Sequence, residues 1–279
     1  MSPLKFPIPV AETIARIAEI GLPVGILPCP IPGVSAPVTI AGGLALQHAE
    51  NLAGIVIAQM VRPGVPCLYH SRLSIPDARK AVGAGGSPEM GMAGAAAAQL
   101  AKHHHIPCDV YGVCTSSKML DPQAGFEKAI NGILPALMNA DQISGVGILE
   151  DGMSGAYDHV VMDNEIYGEI LHLRRGIKVN ASTLAFNAIQ EAVAQKQEFY
   201  MLMHTTEQLR AGALYEPVLA HRGYWDAWEA EGKKSYSEYA NQRVREILAT
   251  HTVPPLPGGV AKEINKAIEE TGRAYVEAQ

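Results

Sequence analysis

Residues 87–114 read SPEMGMAGAAAAQLAKHHHIPCDVYGVC. Ser87 and Pro88 stand where an N-cap and a first-turn proline belong. The alanine-rich run behind them predicts a helix, and CDVYGVC, bounded by Pro107, is a short, near-continuous apolar run. A helix feeding a strand buried on both faces is the unit of a parallel α/β fold, in which strands lose the polar alternation of half-exposed ones. The same rhythm continues outward. Strands are predicted at 22–28 (LPVGILP), 66–70, 108–114, 142–149 (QISGVGIL) and 198–203 (EFYMLM), and helices at about 11–20, 40–61, 87–105, 123–138 and 163–176. Asp121 and Pro122 repeat the N-cap and proline signal ahead of QAGFEKAINGILPAL, and Gly64 and Gly176 fall just past helix ends.

The chain has 279 residues, 22 Lys plus Arg against 28 Asp plus Glu, and a formal charge of −6. A duplex binder needs a basic face to neutralise phosphates, and this chain has no basic run, so nucleic acid is excluded as a partner. With 48% hydrophobic and 18% charged residues, it is rich enough to bury a large core. Cys29, Cys67, Cys108 and Cys114 show no paired spacing, which points to neither a disulfide framework nor a zinc ribbon. Pro3, Pro7, Pro9, Glu12, Arg16 and Glu19 interrupt any leader-like apolar core, and no run is long enough to span a bilayer. The expectation is a cytoplasmic protein with no membrane partner.

After residue 204 the texture turns amphipathic and aromatic. Trp225, Trp228 and several tyrosines, Tyr275 among them, read as packing anchors on a helical extension.

The stretch APVTIAGGLALQHAENLAGIVIAQM (36–60) resembles one found in the trimethylamine methyltransferase (MttB-like) family. DPQAGFEKAINGILPAL (121–137), MDNEIYGEILHLRRGI (162–177), the His204–Thr205 pair, and the closing segment through VREILATH and PPLP resemble the same family, in its order. The resemblance implies a TIM barrel that moves a methyl group from a methylated amine to Co(I) of a corrinoid carried on a cognate corrinoid protein. It also implies that this shorter chain matches the C-terminal portion of such proteins. A closed barrel needs eight parallel strands and only about five are predicted. The expected fold is therefore α/β, a partial (β/α)8 barrel over residues 1–204, with a helical C-terminal extension over 205–279, its open edge covered in a homo-oligomer. Trimethylamine-specific members carry pyrrolysine, and none is written here. By resemblance to the members without it, the substrate class is a quaternary amine such as glycine betaine, with carnitine-like and proline-betaine-like compounds equally open. The alternative is a non-catalytic remnant or interaction subunit that retains this part of the barrel.

In a parallel barrel the site lies at the carboxyl ends of the strands, which singles out the polar residues after each apolar run. Glu150 is a carboxylate able to face a cationic ammonium, or else a salt-bridge partner or helix cap. His204 matches the family's His-Thr pair and, with Glu150, is the expected catalytic group. His70, Arg72, Thr115, Lys118 and Asp151 follow strand ends as substrate-binding candidates. Tyr69 and Tyr111 offer aromatic faces of the kind that hold quaternary ammonium groups, with packing as the competing role. The His103–His105 triplet spreads over different helix faces and predicts no metal site. The glycine-rich stretch 83–94 lacks both the dinucleotide and the P-loop context and reads as a loop over the strand ends.

Overall fold

The computed structural model describes residues 2–277, and their side chains through Arg273, so the side chain of Tyr275 lies outside the described residues. Helix α1 (Ile8–Ile20) leads to strand β1 (Val24–Ile26), and α2 (Ile40–Val61) to β2 (Cys67–Ser71). A small hairpin, β3 (Pro76–Asp77) and β4 (Val82–Gly83), precedes α3 (Pro88–His103) and β5 (Cys108–Tyr111). Helix α4 (Pro122–Leu137) then leads to β6 (Gln142–Ser144), and a second hairpin, β7 (Ile148–Leu149) and β8 (Ser154–Gly155), to α5 (Tyr157–Arg175). The remainder is helical: α6 (Ala181–Leu184), α7 (Phe186–Gln195), α8 (Met203–Arg210), α9 (Trp225–Ala230), α10 (Tyr236–Thr250) and α11 (Val260–Glu277). The chain forms two compact units, Met1–Arg243 and Val244–Gln279. No described helix is long and apolar enough to cross a membrane.

Strands β1, β2, β5 and β6 form one parallel sheet in that order, each beside the next in sequence. Right-handed crossovers that step in one direction put every connecting helix on the same face. The core confirms it. Val24 and Ile26 are buried with Ile14, Ala18 and Ala58 of α1 and α2, while Tyr69, Cys108 and Val110 are buried with Leu44 of α2 and Ala93, Ala97 and Ala98 of α3. The alanines of α3 are small for a reason. A Cβ on Gly91 would come within 3.1 Å of the Ile130 carbonyl of α4, so the two helices pack almost backbone to backbone. Residues alternate across a strand, so Gly25, Leu68, His70, Asp109, Tyr111, Gln142 and Ser144 line the opposite face, and the register sets His70 beside Asp109 and Tyr111 beside Ser144.

The α/β class and parallel sheet are as the sequence leads one to expect, with four strands and no closure among the described residues. Two predicted strands differ. The run 142–149 is not one strand, because Gly145 and Gly147 take φ of 121° and 76° and turn the chain between β6 and β7. Residues 198–203 are not a strand at all: Phe199–Met201 form a 3-10 turn and Met203 starts α8, with only Leu202 of the run buried, against Ala188 and Ala192. An isolated strand without a ladder partner gains nothing over a helical turn that satisfies its own backbone.

Candidate functional site

The open face of the sheet carries a polar cluster centred on Asp109. Its Oδ2 accepts from Arg72 Nη2 at 2.6 Å and lies 3.0 Å from His70 Nδ1. Burial alone would raise this carboxyl, but the hydrogen bond from His70 and the charge of Arg72 outweigh it and hold Asp109 below the usual carboxylate range. Arg72 Nη2 also donates to Ser144 Oγ, its Nη1 donates to the Ser71 carbonyl, and its guanidinium lies 5.0 Å from the centre of the Tyr111 ring. The His70 ring lies over Gly25, where any Cβ would come within 2.5 Å of Nε2. Here the glycine is required by close approach. Helix α2 fixes the strand ends from behind: Asn51 donates to the His70 carbonyl, and Gln47 bridges the Pro28 carbonyl and the Ser71 hydroxyl.

One wall of this floor is the turn Glu150–Gly152. Glu150 and Asp151 both adopt left-handed backbone, with φ of 48° and 55°, a conformation that costs non-glycine residues energy and collects at functional positions. A Cβ on Gly152 would lie 3.7 Å from the Tyr111 hydroxyl, so the turn reaches over that ring. Asp151 Oδ1 accepts from the Gly85 amide at 2.6 Å and from Ser116 Oγ at 2.8 Å, which straps the glycine-rich loop across the strand ends. The Glu150 carboxylate makes no hydrogen bond or ion pair among the described residues. Beneath the turn, Lys128 and Asp163 form a buried pair at 2.7 Å, and Asp163 also accepts from the Gly147 amide. Burial dominates there and raises Asp163 despite Lys128.

Beside the strap lies an apolar cleft of about 780 Å³, walled by Ile31, Val34, Val38, Ile75 and Val82. It meets the strap at Gly83, whose Cβ would lie 3.4 Å from Asp151.

Of the residues singled out from the sequence, the structure brings together His70, Arg72 and Tyr111 on the floor and Glu150 and Asp151 on the wall. Thr115 is buried just behind, donating to Glu127 at 2.6 Å. Lys118 points away, exposed, with its ammonium 2.8 Å from the Ser116 carbonyl. Tyr69 faces the helices, fully buried, with its hydroxyl 3.3 Å from His48 Nδ1. His204 lies in α8, its Nε2 3.1 Å from the Ser182 carbonyl. Asp109 and Ser144 were missed because they sit inside apolar runs, not after them. The signal was there: a charged residue two positions before Tyr111 shares its face of a strand. Among the described residues no cluster of three or more His, Cys, Asp or Glu is placed to hold a metal ion.

A family profile described as trimethylamine methyltransferase (MTTB) matches residues 1–274. The trimethylamine methyltransferase MttB2 of Methanosarcina mazei is 36% identical over 276 residues, which is 99% of this chain and 55% of that protein. A trimethylamine methyltransferase MttB of Desulfitobacterium hafniense is 34% identical over 98% of the chain and 55% of its own length. A glycine betaine methyltransferase of the same species is 32% identical over 98% of the chain and 57% of its own length. The chain thus spans about half the length of the curated relatives it matches.

Proposed function

Because this chain belongs to the trimethylamine methyltransferase family, we propose that it takes part in transferring a methyl group from a methylated amine, a quaternary one such as glycine betaine, to the cobalt of a corrinoid on a cognate partner protein. The observation that carries this reading is the family match across residues 1–274. The fold it rests on is part of a TIM-type barrel. Residues 1–204 bear the site and 205–279 are the helical extension, working in the cytoplasm as a homo-oligomer.

Displacement of a methyl group from a quaternary ammonium releases a neutral tertiary amine, so the leaving group needs no acid. The task of the protein is then to position the cation and exclude water. Glu150 is suited to face the cation, since its carboxylate is uncommitted and sits in the turn over Tyr111. Asp151 and Thr115 support the wall. Tyr111 presents aromatic surface beside it, of the kind that attracts ammonium groups. His204 and Tyr69 belong to other parts of the fold and take no part in this arrangement, and Lys118 stands outside it. The corrinoid, when its carrier docks, supplies the Co(I) nucleophile.

The test is methylation of Co(I) cobalamin, followed by its visible spectrum, with the purified chain and trimethylamine, glycine betaine, proline betaine or carnitine. Conversion with one amine, reduced at least tenfold in Glu150→Gln, is the expected result. A second reading, an interaction subunit without activity, is favoured by the four-stranded sheet with edge strands β1 and β6 unpaired among the described residues. No conversion with any amine, with a corrinoid protein supplied, is its expected outcome.

A further inference from the structure

A betaine brings a carboxylate as well as a cation, and the cation wall leaves that end of the ligand unassigned. The positively charged groups nearest in sequence to the strand ends are otherwise engaged. Both terminal nitrogens of Arg72 are bonded, to Asp109, Ser144 and the Ser71 carbonyl. Lys118 is exposed and bonded to Ser116, and His204 lies against Ser182. His70 differs. Its Nδ1 is committed to Asp109 at 3.0 Å, whereas Nε2, over Gly25 on the open face, makes no hydrogen bond among the described residues.

A carboxylate only accepts, so His70 Nδ1 carries the hydrogen, and in the neutral ring Nε2 is a bare acceptor. A bare acceptor repels an anion, but a proton on Nε2 turns it into a donor. The ionisable groups that face this ring are Asp109 from β5 and Arg72 from the end of β2. Gly25 of β1 and Gln142 of β6, its neighbours in the sheet, bring none. Asp109 holds the ring hydrogen on Nδ1, so a carboxylate docking at Nε2 needs a second ring hydrogen there.

We propose that His70 takes up a proton as the carboxylate of a betaine docks on Nε2, and that Asp109 is the positioning residue that holds the ring for it. The proposal rests on the methylated-amine reading and adds a carboxylate subsite to it. The proton comes from solvent and returns to it on release, so no further reactant is required.

Titration calorimetry on the full chain, near pH 7.5 in buffers of different ionisation enthalpy, counts the protons taken up on binding. Glycine betaine is the probe, and choline, with the same trimethylammonium head but a hydroxyl for the carboxylate, is the control. The expected result is uptake approaching one proton with glycine betaine and none with choline. His70→Gln, at a partly exposed position, abolishes the uptake and weakens glycine betaine about tenfold while leaving choline unchanged. Asp109→Asn reduces the uptake with the ring still present. Binding of both ligands without proton uptake, or uptake unchanged in His70→Gln, overturns the subsite and leaves the methylated-amine reading standing. Binding of neither ligand overturns the subsite, and the methylated-amine reading then falls only if the cobalamin assay also fails with trimethylamine, proline betaine and carnitine.

Discussion

Lys128 and Asp163 are wholly buried and bonded through both carboxylate oxygens, and the same carboxylate anchors the Gly147 amide at the turn after β6. Removing one partner strands a charge in the core. Lys128→Met is expected to lower unfolding free energy by about 3–5 kcal/mol, whereas Lys128→Met with Asp163→Leu recovers most of it, as measured by urea denaturation. Asp109 carries a pH signature. Its folded pKa lies below the unfolded value, so its contribution is complete above the usual carboxylate range and is lost as pH falls through the folded value. Denaturation midpoints of wild type and Asp109→Asn are therefore expected to converge as pH falls through and below the ordinary carboxylate range. Glu150 shows the opposite balance between stability and use. Glu150→Gly relieves a left-handed backbone and is expected to raise stability by up to about 1 kcal/mol while lowering methyl transfer, and a loss of stability would mean the turn is not strained.

Packing between α3 and α4 depends on the absence of side chains. Gly91→Val would push its branches into the Ile130 carbonyl and the Asn131 Cα, and a cost of about 1–3 kcal/mol is expected in thermal unfolding, against much less for Gly125→Ala, whose Cβ would meet nothing within 4 Å. At the start of α4, Asp121 accepts from the Ala124 amide and from Ser117, and Asp121→Ala is expected to cost about 1 kcal/mol. These helices were legible because their signals are local. Caps, prolines and alanine runs placed α2 at 40–61, as found, and α3 and α4 within two residues at each end. Strands depend on partners that local sequence does not contain. The run 198–203 was apolar enough for a strand, but no described strand lies beside it to complete a ladder. The site was legible to the same degree. His70, Arg72 and Asp151 were singled out by their position at strand ends and Tyr111 by its aromatic face, while Asp109 stood inside an apolar run and Tyr69 was assigned to a face that only the register decides.

The sheet faces its helices on one side only, and among the described residues β1 and β6 both present an unpaired edge. Large apolar side chains are also exposed on the helical segment that follows, Val193 at 73%, Tyr200 at 76% and Met203 at 71%. Such surfaces in a water-facing chain favour association. Light scattering of the purified chain is expected to give at least twice the 29.7 kDa of one copy, and a clean monomer at micromolar concentration would contradict this. The strand order has a temporal meaning as well. Each strand of the sheet pairs with the sheet strand made next, across connections of roughly 30–40 residues, and no pairing waits for a distant segment. During synthesis β1 can dock on β2 before β5 has been translated, so the sheet grows in the direction of the ribosome, and Asp109 meets Arg72 and His70 only when the third strand arrives.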